Sequence, residues 1–312
     1  MSPHAVEAAL VLSLPGSEGL AARLAGELGS GRRLVETRHF PDGEWYVRIG
    51  GEVRDCPIVI AATLDRPDEK LLPLLLLAAT ARELGADEVG LVAPYLPYLR
   101  QDRRFRPGEA LSAVHFARLL SDAVDWVVTV EPHLHRIHRL SDVYQVPACA
   151  VGVAARVAAW IKGDIERPFV VGPDEESRQW VEPVARAAGA PFTVVRKCRV
   201  GDFRVEITLP DLKEFHGRTP VVLDDIVSTG RTMEQIVRKL AHGGFPNPEC
   251  VAVHGIFAGD AYARIRRAGA AAITTCNTIP HATNAIDVTA LIAGAVRGML
   301  ERTAEAWEER AS

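Results

Sequence analysis

Short β-rich apolar runs alternate with longer helical patterns along almost the whole chain, and this alternation narrows the possible folds more than any other feature. Strand-like runs lie at Ala9–Leu14, Ile58–Ala62, Val89–Ala93 and Trp126–Val130. Helical patterns fall between them near Ser17–Leu28, Asp68–Leu84 and Ala110–Ala123, with Asp68 placed to cap the second and Glu69 in its first turn. Past Val151 the alternation restarts, with strand-like runs at Phe169–Val171, Phe192–Val195, Pro220–Leu223, Val251–His254 and Ala272–Thr275. Its helical patterns are near Glu175–Ala188, Thr232–His242 and Ala258–Ala268, and a last helix runs from about Val288 to Glu309. Strands separated by such helices imply βαβ units and parallel sheets. The fold class is therefore α/β, in two doubly wound parallel-sheet domains, 1–150 and 151–312, whose C-terminal helix has the option of packing back on the first. Ligands in such sheets gather outside the carboxyl ends of the strands. The chemistry is expected just after strands.

Composition supports two buried cores: 48% of the 312 residues are hydrophobic, which excludes a disordered chain. Thirty-six basic against 40 acidic residues leave a net charge of −4, without the footprint of a nucleic-acid-coating protein. The five cysteines, Cys56, Cys149, Cys198, Cys250 and Cys276, are scattered without a CxxC pair. That spacing argues against a disulfide framework or zinc cluster and fits a reducing cytoplasm. The apolar run from Val6 to Leu14 is broken by Glu7 and has no basic segment before it, so it does not read as a signal peptide. The run Leu71–Ala81 is too short to span a bilayer and reads as a buried helix. A cytoplasmic protein without membrane or nucleic-acid partners is expected.

The most informative string is Val221-Val-Leu-Asp-Asp-Ile-Val-Ser-Thr-Gly-Arg-Thr232. An apolar strand ends in two acids, and a turn of small and hydroxylated residues then opens a helix. Backbone N–H groups and hydroxyls at such a turn can surround a phosphate at the positive helix end. Asp224 and Asp225 cannot bind that phosphate as well; they suit polyol hydroxyls or a divalent cation. A sugar phosphate satisfies both halves, and a polar cap after a buried strand is the plainer alternative.

This string resembles the phosphoribosyl-pyrophosphate (PRPP) binding motif of the type I phosphoribosyltransferase fold. Two other segments narrow the resemblance to the ribose-phosphate pyrophosphokinases, or PRPP synthetases, and extend it over almost the whole chain. They are Arg38-His-Phe-Pro-Asp-Gly-Glu-Trp-Tyr-Val-Arg-Ile49 and Pro94-Tyr-Leu-Pro-Tyr-Leu-Arg-Gln-Asp-Arg-Arg104, followed by Pro107-Gly-Glu-Ala-Leu-Ser-Ala113. Taken alone, Asp42-Gly43 reads as a hairpin turn and Arg-Gln-Asp-Arg as a solvated charged face. In order and together they point to nucleotide binding. The resemblance implies an ATP site from Phe40, Asp42, Glu44, Arg100, Gln101 and Arg103, with Phe40 stacking on adenine and the arginines offering forked donors to phosphate. It also implies a homo-oligomer in which the Phe40 loop completes a neighbouring subunit's site.

The same resemblance assigns ribose 5-phosphate binding to Asp224, Asp225, Ser228, Thr229, Gly230, Arg231 and Thr232, and Mg²⁺ to His133 and Asp174. Lys197 and Arg199 become the catalytic cations, at the base of a mobile loop; two solvated basic residues are the plainer reading. His133, His135 and His138 also raise the possibility of a transition-metal site, although no carboxylate or Cys completes a familiar spacing. Otherwise His135 and His138 read as helix-surface residues. The chain departs from the family pattern at Glu176 and Ser177, where two glycines are expected after Pro173-Asp174. Such a change implies an altered metal arrangement or a weakened site, or an acidic first helical turn at Glu175 and Glu176. Ser228, Arg231 and Cys276-Asn277 are further departures. The implied activity is diphosphoryl transfer from Mg-ATP to the C1 hydroxyl of ribose 5-phosphate, giving PRPP and AMP. A catalytically silent regulatory homologue and a diphosphokinase for another pentose phosphate are the alternatives.

Overall fold

The computed structural model describes residues 4–200 and 204–311, with the side chains at 4–5, 197–206 and 304–311 left aside. The backbone divides into two units, Met1–Val151 with Thr289–Ser312, and Gly152–Val288.

The first unit holds α1 (His4–Ala8), β1 (Leu10–Ser13), α2 (Glu18–Leu28), β2 (Gly31–Arg32), β3 (Val35–His39), β4 (Trp45–Ile49) and β5 (Pro57–Ala61). It continues through α3 (Pro67–Glu83), β6 (Glu88–Val92), α4 (Ser112–Ala123), β7 (Trp126–Val130) and β8 (Ala148–Val151), and it includes α9 (Thr289–Ala311). Its six-stranded sheet runs β2-β1-β5-β6-β7-β8, every neighbour parallel. All five residues of β6 and of β7 are buried, as expected for parallel strands covered on both faces. At Gly90 the covering is tight: a Cβ there would lie 2.0 Å from the Trp126 ring. The Trp126 indole donates to the buried Glu88 carboxylate. Helix α9 packs on α2, β7 and β8. Helix α3 is only half covered, because Leu74, Leu77 and Ala78 are buried while Leu72 stays 52% exposed.

The second unit holds α5 (Ala154–Asp164), β9 (Pro168–Gly172), α6 (Arg178–Ala188), β10 (Phe192–Val194), β11 (Arg196–Val200), β12 (Arg204–Thr208) and β13 (Thr219–Val227). It closes with α7 (Arg231–His242), β14 (Glu249–Gly255), α8 (Ala261–Arg267), β15 (Ala272–Cys276) and β16 (Asn284–Ile286). Its six-stranded parallel sheet runs β10-β9-β13-β14-β15-β16.

The two units repeat one topology. In each, the first strand is followed by a helix and an edge strand, and the chain then makes an antiparallel ribbon, β3–β4 or β11–β12. It re-enters the sheet on the other side of the first strand. The order therefore reverses between β1 and β5 in one unit and between β9 and β13 in the other, the crevice where open α/β sheets take ligands.

Three local expectations change, at Asp68, at Glu175 and Glu176, and at His135 and His138. Pro67 opens α3, and Asp68 makes no capping bond. Helix α6 begins at Arg178, so Glu175 and Glu176 precede it and form no acidic first turn. His135 and His138 lie in the loop after β7 rather than on a helix. No disulfide joins the described cysteines. No described helix is long and apolar enough to cross a membrane.

Candidate active site

In the second unit, β13 is the strand beside the crevice. Val221, Val222 and Leu223 are fully buried, and the strand continues through half-buried Asp224 and Asp225 to Val227. The acids thus lie within the strand rather than after it. Three carbonyls of the following turn are occupied from the flanking segments. Val227 accepts the N–H groups of Ile256 and Phe257, each at 3.0 Å, Ser228 accepts that of Ala258 at 3.0 Å, and the Arg264 guanidinium reaches Thr229 at 3.5 Å. With its carbonyls so engaged, the turn offers the first-turn N–H groups of α7, which have no partners within the helix. Gly230 sits at the cap with φ +69°, and a Cβ there would meet Ile265 Cδ1 at 2.9 Å. Glycine is required for both conformation and space. Ser228 and Thr232 are half-buried, while Thr229 and Arg231 are exposed.

Burial holds the proton on Asp224 well above the ordinary carboxylate range; the charge and side-chain hydrogen bond of Asp225, then the charge of Asp174, push the same way. The Asp225 N–H, 3.0 Å from Asp224 Oδ1, offsets this only in part. Asp174 follows β9 on the other side of the crevice. Its loop closes on Ser177, whose N–H donates to Asp174 Oδ1 at 2.9 Å and whose hydroxyl donates to the Asp174 carbonyl at 2.6 Å. Ser177 has φ −71°, so this position makes no demand for glycine. Glu175 is drawn into an ion pair with Arg178, with Nη2–Oε2 at 3.2 Å, and that hydrogen bond lowers the pKa of its carboxyl. Lys197 and Arg199 lie on β11, paired in register with Ile207 and Val205, and their side chains fall outside the described residues.

In the first unit, Phe40, Asp42 and Glu44 form the exposed tip of the β3–β4 hairpin. Phe40 N–H donates to the Glu44 carbonyl at 2.8 Å, Gly43 turns with φ +94°, and Asp42 Oδ1 accepts from the Glu44 N–H at 3.2 Å. The Phe40 ring is 39% exposed, with the Arg38 guanidinium 4.6 Å from its centroid. The hairpin reading of Asp42-Gly43 therefore holds alongside the presentation of an aromatic ring.

Arg100, Gln101 and Arg103 occupy the loop after β6. Gln101 donates to the Arg103 carbonyl at 3.3 Å, and the Arg103 guanidinium lies 4.7 Å from the Phe105 ring centroid. Asp102 between them points inward, its side chain only 4% exposed. It binds the Arg136 N–H at 3.1 Å and the Arg136 guanidinium at 3.3 Å. Asp102 thereby ties this loop to the one carrying half-buried His133 after β7. Glu109 organises the rest of the loop, accepting the N–H groups of Phe105 at 2.7 Å and Arg106 at 3.0 Å. Asp102, Glu109 and Arg136 were given no role by motif, and Ser177 stood out only as a departure from an expected glycine; Asp102 was legible as the one acid inside a basic string. Among the described residues no three His, Cys, Asp or Glu side chains gather as a metal-ligand set, so the three histidines do not form one.

Residues 9–123 match the family model of the N-terminal domain of ribose phosphate pyrophosphokinase, and residues 141–291 match the phosphoribosyl transferase domain. The chain belongs to the ribose-phosphate pyrophosphokinase family. Curated family members of the same name are similar over nearly the full length. The one from Methanobrevibacter smithii is 31% identical over 92% of this chain and 100% of its own. The one from Methanopyrus kandleri is 33% identical over 93% and 99%, and that from Saccharolobus solfataricus is 35% identical over 78% and 84%. The crystal structure of phosphoribosylpyrophosphate synthetase from Mycobacterium smegmatis superposes with a TM-score of 0.83 at 24% identity, covering 94% of this chain and 99% of that one. This pyrophosphokinase thus keeps the α/β fold of its family in both units.

Proposed function

We propose that this ribose-phosphate pyrophosphokinase moves the β,γ-diphosphoryl group of ATP onto the C1 hydroxyl of ribose 5-phosphate, forming PRPP and releasing AMP. The C1 oxygen forms a bond to the β-phosphorus as the bond from that phosphorus to the α,β-bridging oxygen breaks. The bridging oxygen leaves with AMP, and the hydroxyl proton passes to solvent. Such a transfer needs positioning and charge neutralisation rather than a covalent enzyme intermediate.

The observation that carries the sugar-phosphate half is the run from Asp224 and Asp225 through the Ser228–Gly230 turn into α7. Ser228, Thr229, Gly230 and Thr232 hold the 5′-phosphate with N–H and hydroxyl donors, and exposed Arg231 adds a cation. Asp224 and Asp225 hold the ribose hydroxyls. Arg100, Gln101 and Arg103 take the ATP phosphates, and Phe40, Asp42 and Glu44 the adenine. Lys197 and Arg199 meet the charge on the transferring group.

Mg²⁺ fits the donor set. The proton retained on Asp224 beside Asp225 and Asp174 marks a concentration of carboxylate charge that a cation would relieve. Mg²⁺ also needs only one or two carboxylates beside water and phosphate oxygens. When bound, the ion would offset the negative charge of the polyphosphate, with Asp174 and His133 as the residues that would hold it. The exposed Phe40 tip supports a homo-oligomer in which this hairpin serves a neighbouring subunit's nucleotide. A cytoplasmic site of action fits the substrates.

Purified protein with Mg²⁺, ATP and ribose 5-phosphate is expected to give AMP and PRPP in equal amounts. ADP in place of AMP would identify a γ-phosphoryl kinase, and turnover only with another pentose phosphate would change the acceptor. Binding without turnover would leave a regulatory homologue.

A further inference from the structure

Tyr98 is a bulky residue in the left-handed region, with φ +65°. Such a backbone is strained for an L-residue and persists only where surrounding contacts enforce it. Two contacts enforce it here. The ring lies 4.9 Å from that of Phe116 in α4. The hydroxyl donates to the carboxylate of Asp68 in the first turn of α3, and that bond holds the phenol proton more tightly than usual. The Tyr98 carbonyl accepts the Gln101 N–H at 3.1 Å, and the Gln101 carbonyl accepts the Ala113 N–H at 3.4 Å. The turn from Tyr98 to Gln101, with Arg100 inside it, is therefore anchored at its first residue by helices on two sides.

We infer that Tyr98, latched to Asp68, is the positioning residue for the nucleotide-binding loop: it fixes the direction in which Arg100 and Gln101 leave the sheet without touching substrate itself. The inference rests on the assignment of Arg100, Gln101 and Arg103 to ATP. Neither Tyr98 nor Asp68 has a place in that reading, and Asp68 was expected only to cap a helix. Helix α3 also packs on β4 of the Phe40 hairpin, so the latch ties the loop to the element that carries the hairpin.

The test compares Tyr98→Phe, Asp68→Ala, which removes the acceptor, and the double variant. Tyr98→Phe keeps the ring on Phe116 and removes only the hydroxyl. Each single variant is expected to raise KM for Mg-ATP about 5–15-fold, the loss of one hydrogen bond to a charged group. Expected kcat and KM for ribose 5-phosphate stay within about twofold, and the double variant is no worse than the worse single one. Calorimetric binding of Mg-ATP without sugar should weaken in parallel. Tyr98→Gly, which adopts this φ freely but has no ring, should bind Mg-ATP as poorly as Tyr98→Phe or worse. Unchanged KM for Mg-ATP, equal changes for both substrates, or effects that multiply in the double variant would overturn the latch while leaving the activity intact. If wild-type protein neither bound nor turned over ATP, the nucleotide assignment itself would fall, and the latch with it.

Discussion

At Asp224 stability and function pull apart. Its carboxyl keeps its proton in the folded chain to a higher pH than it would unfolded, so ionisation there opposes folding. The sign follows directly: this penalty is absent at acid pH and grows as pH rises above the ordinary carboxylate value of 3.8. Asp224→Asn, which cannot ionise, is expected to raise the unfolding temperature at pH 7 while abolishing PRPP formation; a lower melting temperature in calorimetry would contradict the charge argument. Binding of Mg²⁺ with ribose 5-phosphate should also release protons, seen as a buffer-dependent enthalpy. Lys197→Ala should lower kcat about 10²–10³-fold with little change in affinity for ribose 5-phosphate, because charge develops during transfer. Equal loss of both would remove its transition-state role. At this scale the turn proposed for phosphate stood out because its small and hydroxylated residue types suggest that chemistry. The roles of Asp102 and Ser177 were harder to see, because they close loops on Arg136 and Asp174, contacts that exist only once the chain is folded.

Among the elements, the buried strands and long helices were the readable part. Continuous apolar runs such as Val221–Leu223 announce a parallel strand covered on both faces. Of the ribbons only the Asp42-Gly43 turn announced itself, since Val35-Glu-Thr-Arg-His39 is too polar for a core strand; edge strand β16 went unread because it spans only three residues. Helix α5 also went unread, since no polar cap precedes it and its N-cap position is Val153. The α7 turn carries the clearest prediction. Gly230→Ala places a methyl group against Ile265 and strains a left-handed residue. It should cost about 1–3 kcal/mol of stability and weaken ribose 5-phosphate binding more than ATP binding. Denaturant titration and the two KM values check this together; an unchanged sugar-phosphate KM would detach the turn from that ligand.

For the whole molecule, α9 leaves the unit it follows and joins the first. Ile292, Ala293, Val296, Met299 and Leu300 on this helix are all buried. Deleting the chain from Thr289 should therefore destabilise the first unit, and a fragment ending at Val151 should be insoluble unless a 289–312 peptide is supplied. A soluble, cooperatively unfolding 1–151 fragment would contradict this. Mixing tests the neighbouring-subunit role of the hairpin. Phe40→Ala and Lys197→Ala proteins, each impaired alone, should regain activity when co-assembled, because some composite sites then contain both residues. No recovery in verified mixed oligomers would place Phe40 in its own subunit's site.

The repeated topology has one more consequence. Both ribbons leave the chain at the same point, between the edge strand and the strand that re-enters beside the first. Each half thus offers a single docking port for an arm, and the sheet's hydrogen bonding does not depend on what the arm carries. One arm includes Phe40, Asp42 and Glu44 in its sequence, the other Lys197 and Arg199. On the roles proposed for Phe40 and for Lys197 and Arg199, descent with modification would retune nucleotide choice through one arm and transfer chemistry through the other, without disturbing either barricade of buried strands. The β3–β4 and β11–β12 ribbons are accordingly the segments to graft between relatives when preference is to change and the scaffold is not.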